Sequence, residues 1–402
     1  MVGAIAPQFQ IAFMNILFVS HAANRSGAPV SLLALVRWLR SQKGALVRVF
    51  SLRSGPLEGD FGVEDDARLR VLRRASFLEA LRKRGPRHRV WDGIFEFGQA
   101  LSGRLGRRKL DAFLRENEIE VIVANSVASG AALRALGPLL KRRKIRVVVW
   151  VHEMRSARAQ FGGDWEFCRK YGDFFGAASQ VVRDELLDEG LPREKVAVVY
   201  EMLDFAGLAV EKPIARRELR EKLGLGEAAF LAGACGTMEA RKGFDWWPQI
   251  AALAPDCYFV WLGGDAKNAE IARLQGEKLG ARLHFLPPTA TPSPFFAGLD
   301  VFCLPSREDP FPLVALEAAA QNVPLVCFQN AGGIPELVGE KGGICVGFGD
   351  LEAMARALDS LRRDAQFRAQ LGQNAARRAR ELCDVEHSAP RFVELLESLA
   401  AR

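Results

Sequence analysis

The feature that most constrains this chain is an alternation, run through twice, of short apolar β-rich segments with helical patterns. In the first half the apolar runs fall at Asn15–Ser20, Leu46–Leu52, Val121–Ala124, Val147–Val151 and Val196–Tyr200. Helical patterns such as Val30–Leu39 and Ala131–Lys141 lie between them. Near-continuous apolar strands, rather than alternating ones, suit a parallel sheet covered on both faces. Beyond Asp204 a polar helical stretch around Pro213–Leu223 interrupts the rhythm. It restarts at Phe230–Cys235, Tyr258–Leu262, Leu283–Leu286, Val301–Leu304 and Leu325–Phe328, with Gly343–Val346 as a short last strand. The pattern predicts an α/β protein of two Rossmann-like, doubly wound domains joined near residues 204–212 and facing a cleft. The helical tail from about Asp350 is expected to break near Ser388-Ala389-Pro390, and residues 1–13 to form a loose extension. A length of 402 residues fits two domains.

Composition removes several classes. Hydrophobic residues make up 49% and charged residues 26%, which excludes disorder, collagen and coiled coil. No run approaches the roughly 20 apolar residues of a membrane-spanning helix. No Lys or Arg precedes Arg25, so a secretory n-region is not expected, and the protein reads as soluble and intracellular. The seven cysteines are odd in number and scattered, with no CxxC and no His at ligand spacing. They are expected to be reduced, buried small hydrophobes rather than a zinc site or a disulfide framework.

Charge is uneven. Residues 1–210 hold 33 Lys and Arg against 23 Asp and Glu, while the rest of the chain is slightly acidic within the overall +7. Most of the excess lies between Arg68 and Lys109, including Arg82-Lys83-Arg84 and Arg87-His88-Arg89. Interleaved apolar residues there suggest amphipathic helices. Such a basic face suits an anionic lipid surface or a phosphorylated acceptor, or is simply solvated. No nucleic-acid motif accompanies it, so nucleic acid is not an expected partner.

In open α/β sheets ligands bind beyond the strand C-termini, which directs attention to the loops there. The first, Ser20-His21-Ala22-Ala23-Asn24-Arg25-Ser26-Gly27, lets backbone N–H groups near Gly27 approach an anion at a helix start, or is an ordinary glycine turn. Trp150-Val151-His152-Glu153 brings a His–Glu pair to a strand end, able to orient a hydroxyl or carry a proton, or to serve structure. Gly236-Thr237-Met238-Glu239-Ala240-Arg241-Lys242-Gly243 presents two adjacent cations, the chemistry of a diphosphate site. Ser306-Arg307-Glu308-Asp309-Pro310-Phe311-Pro312-Leu313-Val314 then carries acids into a helix that bears Glu317. Carboxylates so placed accept hydroxyls of a sugar or ribose, while first-turn N–H groups face phosphate. The plain alternatives are Asp309 as a helix cap and Glu317 as a solvated helix residue. Asn330-Ala331-Gly332-Gly333-Ile334-Pro335-Glu336 adds a glycine pair before another helix.

Arg241-Lys242-Gly243, the Ser306–Glu317 block and Gly332-Gly333-Ile334-Pro335-Glu336 resemble the donor half of retaining GT-B glycosyltransferases, specifically family 4. The Gly27 loop, His152-Glu153 and Ser179-Gln180-Val181-Val182-Arg183 extend the likeness to the first half. The resemblance implies an acceptor-binding domain (1–207), a nucleotide-sugar-binding domain (208–385) and a final helix (386–402) packing back on the first. It implies sugar transfer from a UDP- or GDP-sugar to a hydroxyl acceptor, lipid-linked or a surface-polysaccharide precursor, with retention. No metal or other cofactor is implied, and there is no evident DxD motif. The implied catalytic residues are Lys242, neutralising the leaving diphosphate, Asp309 on donor-sugar hydroxyls, and His152 on the reacting sugar. Glu317 would hold the ribose, with Arg241 as a second phosphate contact and Glu308 as a rival to Asp309. Backbone groups of Phe311, Pro312, Leu313 and Val314 would hold sugar and phosphate, and Gly27 the diphosphate. His21, Arg25, Arg82, Lys83, Arg84, Arg87 and Arg89 are the candidates for acceptor or membrane contact, at the cytoplasmic face of the inner membrane. Asp309 stands where the family usually has Glu, and Thr237 where many members have an Arg. An epimerase of the same fold and a non-catalytic nucleotide-sugar-binding protein are the alternative readings.

Overall fold

The computed structural model describes residues 10–400 except 65, 67, 71, 74–105 and 266–281. Arg82, Lys83, Arg84, Arg87 and Arg89 therefore lie outside the described residues.

Two compact units divide the chain. One comprises Met1–Ala178, Val182–Met202 and Ser388–Arg402, and the other Ser179–Val181 and Leu203–His387. Each is built on six parallel strands with helices on both sides, a Rossmann-like arrangement. The first sheet contains β1 (Gln10–Ser20), β2 (Lys43–Ser51), β3 (Val121–Asn125), β4 (Arg146–Val151), β5 (Phe174–Ala177) and β6 (Val196–Val198). Its order is β2-β1-β3-β4-β5-β6. The second contains β7 (Leu231–Cys235), β8 (Tyr258–Leu262), β9 (Leu283–Leu286), β10 (Val301–Leu304), β11 (Leu325–Phe328) and β12 (Gly343–Val346), ordered β12-β11-β10-β7-β8-β9.

Burial explains these strands. β3 is buried along its whole length, and so is β4 from Val147 onward, as two covered faces demand. Val121, Ile122, Val123, Val147, Val148 and Val149 are fully excluded from solvent; β-branched side chains are well suited to a packed pleated surface. In the second unit Trp247, Phe259 and Trp261 pack edge to face in the core.

The strand orders fix where ligands belong. Winding reverses between β1 and β3 in the first sheet and between β7 and β10 in the second. Such a reversal opens a crevice at the strand C-termini. The loops after these four strands start at His21, Ser126, Gly236 and Pro305.

Three expectations need correction. Strand β1 begins at Gln10, so residues 10–13 are not a loose extension; Gln10 pairs with Lys43 across a register shift. β5 was not anticipated, because Phe174-Phe175-Gly176-Ala177 is short and carries two weak strand formers. The tail does not break at Pro390. It divides at Asp364 and Asp384 into helices Leu351–Arg363, Ala365–Cys383 and Val385–Ala400. Asp364 caps the second by accepting the Phe367 N–H, whereas Pro390 lies inside the third. The contact boundary between the two units falls at Met202–Leu203. Ser388–Arg402 belongs to the first unit, where Phe392 stacks on Trp150 with ring centroids 5.6 Å apart.

All seven cysteines are free. Five are buried, but Cys235 and Cys345 are only partly so. No described helix is long and apolar enough to cross a membrane.

Candidate functional site

In the second unit the loops leaving β7 and β10 are drawn together by a glycine. Gly243 has φ +74, and a Cβ built there would lie 1.8 Å from the Pro305 carbonyl oxygen. Only glycine permits both the conformation and the approach. The loops are then laced by backbone, with the Arg307 N–H donating to the Arg241 carbonyl at 2.8 Å. The Arg241 guanidinium in turn donates to the Glu308 carbonyl at 3.1 Å. Arg307 forks onto both oxygens of Asp245, at 2.6 and 2.7 Å, and stacks on the Trp246 ring at 3.5 Å.

This lacing sets Lys242 against Asp309. The Lys242 ammonium donates to Asp309 Oδ2, with side-chain exposures of 17% and 6%. Asp309 is held from behind by the glycine pair. Its N–H donates to the Ala331 carbonyl at 2.8 Å, and its own carbonyl accepts the Gly333 N–H at 3.1 Å. A Cβ on Gly332, at φ +116, would sit 1.8 Å from that carbonyl oxygen. Asp309 is therefore not the helix cap: the residue before helix Leu313–Ala320 is Pro312, with an extended backbone. Phe311, Pro312 and Leu313 are buried and Val314 is half-buried. In the first turn of that helix the Ala315 N–H donates to the Pro312 carbonyl at 3.0 Å, while the N–H groups of Leu313 and Val314 come before the first α-helical acceptor.

Glu317 lies four residues into the same helix. Burial pushes its carboxyl up to about 7, although the side chain keeps some exposure. Burial also pushes the neighbouring Cys235 thiol up to about 12; Glu317 adds to that rise and Lys242 opposes it. One cation and two acids thus converge on the end of β7 beside the winding reversal. The set can neutralise a diphosphate and accept hydroxyl hydrogens.

A second cluster occupies the first unit. His152, at the end of β4, directs Nδ1 to Glu201 Oε1 at 2.7 Å and Nε2 to Asn125 Oδ1 at 2.9 Å. Asn125 Nδ2 donates to the Ala28 carbonyl at 3.0 Å. Burial pulls the His152 imidazole down, but the charge and hydrogen bond of Glu201 and the charge of Glu153 outweigh it and raise the group. Glu153 accepts hydrogen bonds from Ser126 Oγ and from the N–H groups of Val127 and His152, and burial raises its carboxyl. His21 Nδ1 lies 3.4 Å from the Asn125 carbonyl. Burial lowers His21 to about 4, the Asn125 bond opposes this, and His152 and Arg53 reinforce it. Gly27 opens helix Gly27–Ser41, and Arg25 is exposed.

The structure brings Lys242 and Asp309 into contact, with Arg241, Glu308 and Glu317 close by. It places His152 and His21 in a separate cluster of the first unit. Asn125 and Glu201 were missed by sequence reasoning, although each is a polar residue just past an apolar run. Among the described residues no group of three or more His, Cys, Asp or Glu is placed to hold a metal ion.

Comparison with known proteins places the chain in a family. Residues 25–206 match the profile described as Glycosyltransferase Family 4, and residues 215–378 that described as Glycosyl transferases group 1. The chain belongs to glycosyltransferase family 4. Over 156 residues this family 4 protein is 30% identical to the lipopolysaccharide core biosynthesis glycosyltransferase LpsE of Rhizobium meliloti, covering 38% of this chain and 46% of that one. Over 154 residues it is 30% identical to the alpha-galactosylglucosyldiacylglycerol synthase of Streptococcus pneumoniae, covering 36% and 40%. The matched stretch spans less than half the length of either relative. The crystal structure of HepE from Anabaena in complex with UDP-glucose superposes with a TM-score of 0.73 at 20% identity, covering 96% of this chain and 100% of that one. At that identity the likeness establishes the fold, which HepE shares with other GT-B glycosyltransferases.

Proposed function

We propose that this family 4 protein transfers a sugar, with retention of configuration and without a metal, from a nucleotide-diphosphate donor to a hydroxyl of a lipid-linked or glycan acceptor. The observation that carries this reading is the convergence of Lys242, Asp309 and Glu317 at the end of β7. The names of the relatives, which act in lipopolysaccharide and glycolipid synthesis, and the UDP-glucose bound to HepE support the donor and acceptor classes. The second unit then holds the donor and the first the acceptor, at the cytoplasmic face of a membrane.

The chemistry requires charge to be received where it develops. As the anomeric carbon–oxygen bond to phosphate breaks, the sugar gains oxocarbenium character and the diphosphate gains negative charge. Lys242, Arg241 and the N–H groups of Leu313 and Val314 at the helix start take up the second of these. Asp309 accepts sugar hydroxyls, and Glu317 accepts the ribose diol. The acceptor oxygen bonds to the anomeric carbon, and its proton leaves on a diphosphate oxygen. Arrival of the donor makes Lys242 divide its three N–H groups between Asp309 and phosphate, so the ion pair keeps the cation in place beforehand.

The test is a panel of UDP-, GDP- and dTDP-sugars incubated with and without lipid-linked and soluble acceptors, followed by proton NMR of the anomeric signal. The expected result is a product formed only when an acceptor is present, with the anomeric configuration of the donor. Conversion of donor without acceptor, or an inverted product, contradicts the proposal.

A further inference from the structure

The first sheet reverses its winding between β1 and β3, and the residues at that point are His21 and Asn125. Behind them His152 is 8% exposed and Glu201 3%. The Asn125 side chain has only one sensible orientation. With Nδ2 donating to the Ala28 carbonyl, Oδ1 faces His152 Nε2 and can only accept. On the other side Nδ1 meets the Glu201 carboxylate. Both ring nitrogens therefore face acceptors, and an imidazolium is the form that donates to both. Glu201 Oε2 is buried with no hydrogen-bond partner, so the carboxylate depends on its one ionic partner for compensation. Outside this pair, His21 Nδ1 faces the Asn125 carbonyl and must donate to it. Its Nε2 has no hydrogen-bond partner among the described residues, and the ring is partly exposed.

We propose that Glu201 and Asn125 are positioning residues that hold His152 as an imidazolium with both ring protons spent inside the fold, leaving neutral His21 to receive an acceptor hydroxyl on its Nε2 lone pair. The clause about the acceptor rests on the glycosyl-transfer reading; the clause about the protons does not. All the charged groups around the pair agree with the division. Glu201 and Glu153 face His152 and favour its charge, while His152 and Arg53 oppose a second charge on His21. The Trp150 ring, 4.7 Å from that of His152, closes the same side with a π-face. The inward charge of His152 is thus balanced by Glu201, and at His21 the crevice offers a neutral acceptor of hydrogen bonds. This suits an uncharged hydroxyl rather than an anion.

The experiment is two-bond 15N–1H NMR of histidine-labelled protein between pH 5.5 and 8.5, with the signals assigned from His21→Gln and His152→Gln. The expected spectrum shows both His152 nitrogens protonated at pH 8 and His21 as the neutral Nδ1–H form at pH 6. In Glu201→Gln, His152 is expected to be neutral at pH 8. A wild-type His152 that is neutral at pH 8 overturns the first clause, even if the Glu201 variant fails to fold. So does a His152 signal that Glu201→Gln leaves unchanged. For the second clause, His21→Gln is expected to raise the acceptor KM roughly fivefold to tenfold, the effect of a weakened hydrogen bond, with a smaller change in the donor KM. Equal changes in the two overturn it. A protein that transfers no sugar defeats the glycosyl-transfer reading and the acceptor clause built on it, while the spectra still decide the proton arrangement.

Discussion

Replacing Lys242 by alanine is expected to lower kcat/KM for donor and acceptor by roughly a hundredfold to a thousandfold. Loss of one preorganised charge donor at a developing anion typically costs about 3–4 kcal/mol of transition-state stabilisation. In the proposed mechanism Lys242 is that donor, a cation fixed near the end of β7 by contact with Asp309. The same substitution strands the Asp309 carboxylate, whose side chain is 6% exposed. Breaking a buried pair from one side costs about 3–5 kcal/mol of stability. Rate and stability must therefore be separated. The double variant Lys242→Met with Asp309→Asn leaves no unpaired charge and is expected to melt close to the wild type, yet remain as inactive as Lys242→Ala. Recovery of kcat/KM to within a few fold in the double variant would show that the single variant had only damaged the fold.

The second large effect concerns Glu317 and pH. Its carboxyl is pushed by burial from the ordinary 4.5 up to about 7, so the folded state binds its proton more tightly than the unfolded chain does. Stability is then highest below pH 4.5 and falls as pH rises toward 7. Above that it is constant, after a loss of at most about 3 kcal/mol from this group. Binding has the opposite slope. In the proposed site both hydroxyls of a ribose diol donate to the carboxylate, and only the ionised form accepts from both. At pH 6 that form is about a tenth of the population, and apparent affinity drops in proportion. Nucleotide affinity is expected to rise about tenfold between pH 6 and 8 in the wild type relative to Glu317→Gln. The same variant should lose the corresponding slope in its melting temperature. Calorimetry and thermal melts at matched pH check both, and parallel pH curves for the two proteins would remove Glu317 from the nucleotide site.

The sequence was most informative where burial leaves little choice of residue. The six strands of the second sheet are visible as short apolar runs, and the four inner ones, β7, β8, β10 and β11, are almost wholly buried, as two covered faces demand. The Lys242 and Asp309 loops were legible for a related reason: strand-end loops carrying charge stand out against apolar flanks. Less was visible where a single residue decides the outcome through distant contacts. Pro390 looked like a helix end, but Asp364 and Asp384 mark the boundaries, and proline sits inside the last helix. Glu201 drew no notice in the sequence, yet the fold sets it 2.7 Å from His152, 49 residues away. His152 was read as a group reaching for the reacting sugar, but the structure occupies both of its ring nitrogens with protein acceptors. No local spacing encodes that outcome, because it depends on strand order.

The most direct test is a calorimetric titration of UDP and of GDP into the wild type and into the Lys242→Met, Asp309→Asn double variant. We expect at least one nucleotide to bind the wild type and to bind the double variant at least tenfold more weakly. Equal affinity in both proteins, or no binding of either nucleotide to the wild type, would contradict a diphosphate site at the end of β7.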